Sequence, residues 1–303
     1  MSGPAGDHAP DRTPDEGLAD GGMADEGPTG RRVSSGLAAV LAVGVVTSAA
    51  AVVVVRAAQD PSAARVVDVD APLPEQCDEV PSSALRSTVT DADGNRLGAA
   101  LVGGGNTGPA VVLRHGASQT LCDWLTWADH LQASTGAEVL LFDRRGSGSS
   151  AHLASAGGGD SRDAADLVAA ARGLGSTAGD RRGRPLVTVS SSRGTRSAHA
   201  ALEDLASLEG VEHCGWAAVS PVLSSTVAIP RPGAGQHPRL TLVWEEGRTD
   251  VAAAVPALAA AAAAARWTVV EEAVDTDDHS LALVRNHREA AAAVTAAVRA
   301  CAD

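Results

Sequence analysis

Short apolar segments alternate with segments of helical periodicity over the last two thirds of the chain. This alternation narrows the possible folds more than any other feature. Residues 85–90 and 96–102 read as strands around the turn signal Asp93-Gly94, hence as a hairpin. Residues 110–113, 137–142, 186–189, 216–219, 240–244 and 267–273 read as further strands, most of them apolar enough to be buried. Between them Trp124, Trp127, Ala128 and Leu131 recur at helical spacing, and 164–174, 197–208, 252–265 and 288–300 read as helices. The Ala run at 259–265 suits a helix packed closely on a sheet, since Ala is the best helix former. An opening hairpin followed by alternating strands and helices predicts the α/β class, with a mostly parallel sheet covered by helices on both faces. The residues from 81 to 303 suffice for one such domain.

The upstream third is different. Residues 1–32 hold seven acids and three Arg, are rich in Gly and Pro, and show no apolar period. Such a segment cannot bury enough surface to offset its ordering entropy, so it reads as a disordered acidic tail. Residues 33–55 are 23 uncharged residues between Arg31-Arg32 and Arg56. As a helix they reach roughly 35 Å, against about 30 Å of bilayer core, and read as one transmembrane signal-anchor. A cleaved signal peptide is the alternative, but the run exceeds the usual apolar region and no small-x-small site follows at once. Residues 56–80, with Pro61, Pro72 and Pro74, read as a linker. A protein of many spans is excluded, because only one apolar run is long enough.

Composition removes several chemistries. All 24 basic side chains are Arg, and Lys and Tyr are absent. Schiff-base aldolases, pyridoxal-phosphate enzymes, P-loop NTPases, ordinary kinases and Tyr-x-x-x-Lys dehydrogenases are thereby excluded. The absences themselves fit a GC-rich coding sequence and carry no function. A net charge of −13 without a basic stripe argues against nucleic acid as a partner. The four cysteines, Cys77, Cys122, Cys214 and Cys301, all follow the apolar run and show neither C-x-x-C nor zinc spacing, so no metal and no cofactor is expected. Their even number suits two disulfides in an oxidising compartment; four buried thiols are the alternative.

The most informative stretch is Leu186-Val187-Thr188-Val189-Ser190-Ser191-Ser192-Arg193-Gly194. A short strand runs into a helix through small residues, as a strained nucleophile turn requires. Only Ser192 has small neighbours two before and two after it, Ser190 and Gly194. By itself this also fits a Ser-capped helix start.

Several landmarks in one order give the sequence a resemblance to the α/β-hydrolase superfamily over roughly residues 85–300. Val111-Val112-Leu113-Arg114-His115-Gly116 is similar to the strand and His-Gly turn that supply an oxyanion donor. Phe142-Asp143-Arg144-Arg145-Gly146-Ser147-Gly148-Ser149 is similar to the D-x-R-G-x-G-x-S loop. Trp216-Ala217-Ala218-Val219-Ser220-Pro221 resembles the strand after the elbow. Gly247-Arg248-Thr249-Asp250 is similar to the G-x-x-D turn that carries the acid, and Asp278-His279-Ser280 stands where the family's histidine belongs. The resemblance implies a nucleophile Ser192, a base His279, an acid Asp250, and oxyanion donors in the N–H groups of Ala117 and Arg193. His115 is expected to be structural. Glu246, Asp277 and Asp278 are rival acids, and Asp250 also suits a helix start. The Arg193 side chain points to solvent or meets an anionic substrate group. Ser190 departs from the usual Gly, and so does Thr195.

Only 18 residues separate Pro221 from Leu240, so a compact type without a cap is expected. In this fold Cys77 precedes the hairpin beside the first helix, which begins near Cys122. The last helix ends at Cys301, where the strand after Cys214 begins. The expected pairs are Cys77–Cys122 and Cys214–Cys301. The expected function is a membrane-anchored, extracytoplasmic serine hydrolase acting on a small-molecule or lipid ester or thioester. A catalytically silent binding domain on the same scaffold is the alternative.

Overall fold

The computed structural model describes residues 68–153, 159–176, 184–223 and 227–302. The tail, the apolar run at 33–55 and the first part of the linker lie outside these. No helix among the described residues is long and apolar enough to cross a membrane.

Eight strands form one sheet in the order β1-β2-β4-β3-β5-β6-β7-β8. They are β1 Ala84–Thr90, β2 Arg96–Val102, β3 Ala110–Arg114, β4 Glu138–Phe142, β5 Pro185–Ser191, β6 Glu212–Val219, β7 Arg239–Glu245 and β8 Thr268–Val274. The first two form the antiparallel hairpin, and β2 also runs antiparallel to β4. Every other pairing is parallel. The central strands β3 and β4 are buried at every position, which explains their unbroken apolar sequence.

Two apolar layers sandwich the sheet. One face carries α1 Leu73–Gln76, α2 Leu121–Thr135, α6 Leu281–Asn286 and α7 Arg288–Arg299, and its core contains Trp124, Leu125, Leu283 and Val298. The other carries α3 Gly159–Ser176, α4 Gly194–Ala206 and α5 Thr249–Ala264, with Leu167, Leu202, Trp216 and Leu258 at its centre. Thus the expected two-sided α/β sandwich is present. Among the described residues no helix lies between β6 and β7.

The end of the linker belongs to this core. Leu73 and Cys77 are buried on the α2 face, and α1 carries Pro74 in its first turn, where a missing N–H costs nothing. Both expected disulfides are formed, Cys77–Cys122 with Cα atoms 5.2 Å apart and Cys214–Cys301 at 5.9 Å. The first ties α1 to the start of α2, and the second ties the end of α7 to β6.

Candidate active site

Parallel α/β sheets leave their loops for chemistry at the carboxyl ends of the strands. Here β3 ends at Arg114 beside Ser190 of β5, Ser191 lies beside Val219 of β6, and Glu245 of β7 lies beside Val274 of β8. The residues that follow these positions converge.

Ser192 stands between β5 and α4 at φ 51°, a conformation that side chains other than Gly rarely adopt. Its N–H donates to Val219 O at 2.9 Å, and its carbonyl accepts from Thr195 N–H at 2.9 Å. The small neighbours have physical reasons. A Cβ on Gly194 would stand 2.6 Å from the Arg114 carbonyl and 2.7 Å from that of His115. Ser190 is tolerated because its Oγ, facing the α4 layer, accepts from Trp216 Nε1 at 2.7 Å. Thr195 fits because its hydroxyl is held among Ser192 O, Val222 O and Val222 N–H.

His279 lies in the loop after β8 and reaches back across the sheet. Its Nε2 is 2.8 Å from Ser192 Oγ, and its Nδ1 is 2.5 Å from Glu245 Oε1. Glu245 is fully buried, and its Oε2 accepts from Ser220 Oγ at 2.6 Å. Ser220 Oγ in turn accepts the Ser280 N–H at 2.8 Å. Beneath, Ser280 Oγ meets Ser191 Oγ and donates to Gln119 Oε1 at 3.0 Å, an oxygen that also receives Gly116 N–H and Trp124 Nε1. Ser220 and Ser280, at φ 48° and 62°, share the rare conformation of Ser192.

Asp250 does not occupy the expected place. It sits in the first turn of α5, its side chain 62% exposed, paired to Arg248 at 3.1 Å. That hydrogen bond holds its carboxyl below the usual range. The chain leaving β7 follows β8, with Glu246 N–H on Val274 O and Gly247 N–H on Thr276 O. The helix then turns Asp250 outward. Among the other expected rivals, Glu246 and Asp277 are exposed, and Asp278 binds Asn286 and His287. The acid beside His279 is therefore Glu245, which the sequence reading missed. The available signal was an acid at the last position of an apolar strand.

The His-Gly turn closes the site from β3. A Cβ on Gly116 would lie 3.1 Å from Ser192 Cβ, so the turn passes directly over the serine. Among the described residues no acceptor is found for the N–H of Ala117 or of Arg193. His115 is buried; its Nδ1 lies 2.8 Å from Gly116 O, and its Nε2 accepts Arg144 N–H at 3.3 Å. Burial, then the nearby Arg114 charge, push its pKa down to about 3, so it stays neutral and structural. Asp143 holds the neighbouring loop: its oxygens accept from Leu121 N–H, which begins α2, and from Ser149 N–H and Oγ. Among the described residues no group of three or more His, Cys, Asp or Glu side chains could hold a metal ion.

No protein-family model matches this chain, and no curated protein matches it. Solved structures do. EstE1, a thermostable carboxylesterase cloned from a metagenomic library, is 17% identical, with 74% of this chain and 91% of that chain covered and a TM-score of 0.57. The esterase LipW from Mycobacterium marinum is 16% identical, covering 73% and 81%, with a TM-score of 0.54. EstE7, a hormone-sensitive-lipase homologue from a metagenome library, is 18% identical, covering 76% and 90%, at 0.52. The chain has the α/β-hydrolase fold.

Proposed function

We propose that this domain is a serine hydrolase cleaving carboxylic ester or thioester bonds with Ser192, His279 and Glu245. One observation carries the reading: an unbroken hydrogen-bonded line from Ser192 Oγ through His279 to a buried carboxylate, at the carboxyl edge of the sheet. Serine is a weak nucleophile until a base removes its proton. Ser192 Oγ attacks the acyl carbon while His279 Nε2 takes the proton. The same proton passes to the departing alcohol or thiol, leaving an acyl-serine. Water then attacks with the roles repeated. Glu245 keeps the Nδ1 proton in place and stabilises the imidazolium. The free N–H groups of Ala117 and Arg193 are suited to the developing oxyanion. The esterases with this fold support the reaction class. The test is labelling by a fluorophosphonate. Covalent modification of Ser192, abolished in Ser192→Ala, is expected. An unlabelled folded protein contradicts the reading.

The same reading includes an extracytoplasmic domain held by residues 33–55. Support comes from that apolar run and from two disulfides, which persist in oxidising compartments. Protease added to intact cells should remove the domain. Protection until lysis contradicts this location.

A further inference from the structure

Beneath the line from Ser192 to Glu245 runs a second hydrogen-bonded line. Each member neighbours a part of the site in sequence: Ser191 precedes the serine, Ser280 follows His279, and Gln119 follows the His-Gly turn. Ser191 Oγ meets Ser280 Oγ, and Ser280 Oγ lies 3.0 Å from Gln119 Oε1. The same Gln119 oxygen receives the Gly116 N–H at 3.0 Å and Trp124 Nε1 at 3.1 Å. A backbone N–H and an indole N–H can only donate, so the amide is oriented with its oxygen toward them. That oxygen only accepts, so the Ser280 hydroxyl proton points to it and the Ser191 proton points to Ser280. The direction of every bond in the line is thereby fixed. Ser191, Ser280 and Trp124 are all buried, so the oxygen is anchored from the core.

The two lines meet at Gly116. A Cβ added there would lie 3.1 Å from Gln119 Oε1, 3.1 Å from Ser192 Cβ and 3.5 Å from Ser280 Oγ. The next residues of the turn, Ala117 and Ser118, are exposed. The other holds on the turn are Arg144 Nη2 on Ala117 O at 3.3 Å and His115 Nδ1 beside Gly116 O at 2.8 Å. Among these contacts only that of Gln119 joins the turn to the residues beside Ser192 and His279. An oxyanion donor has to stand about 2.7–3.1 Å from the oxygen as its charge develops, so a displaced turn loses much of its effect.

We propose that Gln119 is a positioning residue of the reaction: its carbonyl oxygen holds the Gly116 turn so that the Ala117 N–H meets the oxyanion formed at Ser192. This rests on the ester-hydrolase reading.

The test uses the full-length protein with Gln119→Met, which removes the acceptor, and Gln119→Asn, which keeps an amide but shortens its reach by one carbon. Active sites are counted by fluorophosphonate labelling taken to completion, so unfolded protein drops out of every rate. With 4-nitrophenyl butyrate, kcat per labelled site should fall at least about 10-fold in both variants, with KM within about threefold of the wild type. The second readout is inhibition by hexyl trifluoromethyl ketone and by hexyl methyl ketone. In the first, Ser192 Oγ adds to the ketone carbon, its proton passes to His279 Nε2, and the carbonyl oxygen becomes the oxyanion. The second binds without that addition. The trifluoromethyl ketone should lose at least about 10-fold in affinity, the methyl ketone less than about threefold. A merely structural role would not separate the two ketones. Wild-type kcat per site in both variants overturns the proposal, as does equal weakening of both ketones. If Gln119→Met does not fold, Gln119→Asn decides alone. A wild type that labels beside variants that match it removes only this inference. A wild type that neither labels nor cleaves the ester removes the hydrolase reading and the inference with it.

Discussion

Glu245 uses both of its oxygens, one toward His279 and one toward Ser220. The second contact fixes the carboxylate's rotation, and the Ser280 N–H fixes the Ser220 hydroxyl in turn. Ser220→Ala should therefore lower kcat about 10-fold with little change in KM, because the acid loses its orientation while the substrate contacts remain. Steady-state kinetics on a short activated ester check this; a wild-type kcat would mean that Ser220 does not position the acid. Ser192 was legible in the sequence because a strained turn demands small neighbours, and only one serine has them. His279 was legible through its place after the last strand. Glu245 was not, because its role depends on where β7 stops. Counted along the sequence, Asp250 stands in the familiar position; in space the start of α5 has already rotated it into solvent.

Among the elements, the inner strands β3 and β4 showed as unbroken apolar runs because both of their faces are buried, while the half-exposed edge strands β1 and β8 showed through alternation and turn signals. The helices α2 to α5 and α7 also showed, through their apolar stripes. Two elements did not. The four-residue α1 is too short to show a period, and its prolines read as linker. The six-residue α6 starts two residues after His279 and ends at Asn286, one residue before α7, and is too short to show a period, so only the helix at 288–300 was read there. This division has a consequence for the site. Leu281, Leu283 and Val284 anchor the short helix in the core and hold the His279 loop against β5.

Across the whole molecule, the site joins the ends of five strands, β3 and β5 to β8, so it exists only while the sheet is intact. Two buried histidines make that integrity sensitive to acid. Burial pushes His213 down to about 4 and His115 to about 3, whereas an unfolded histidine protonates near 6.5. Between these values the unfolded chain binds more protons, so their contribution to stability falls as pH falls. Asp143 and Asp166, raised by burial, act in the opposite sense. The share of His213 is therefore read by difference. His213→Gln should flatten the fall in stability between pH 6.5 and about 4 by up to about 1.4 kcal/mol per pH unit. Denaturant melts over that range check it, and parallel wild-type and variant curves would contradict it.

In the proposed mechanism Ser192, His279 and Glu245 act as one unit, and Asp250 does not belong to it. The most direct measurement is kcat for a short activated ester in Ser192→Ala, Glu245→Gln and Asp250→Asn beside the wild type. The arrangement predicts a loss of at least about 10⁴-fold for Ser192→Ala and about 10²- to 10⁴-fold for Glu245→Gln. Asp250→Asn should remain within about threefold, as befits an exposed ion pair. A large loss at Asp250 with activity retained at Glu245, or turnover that survives Ser192→Ala, would contradict it.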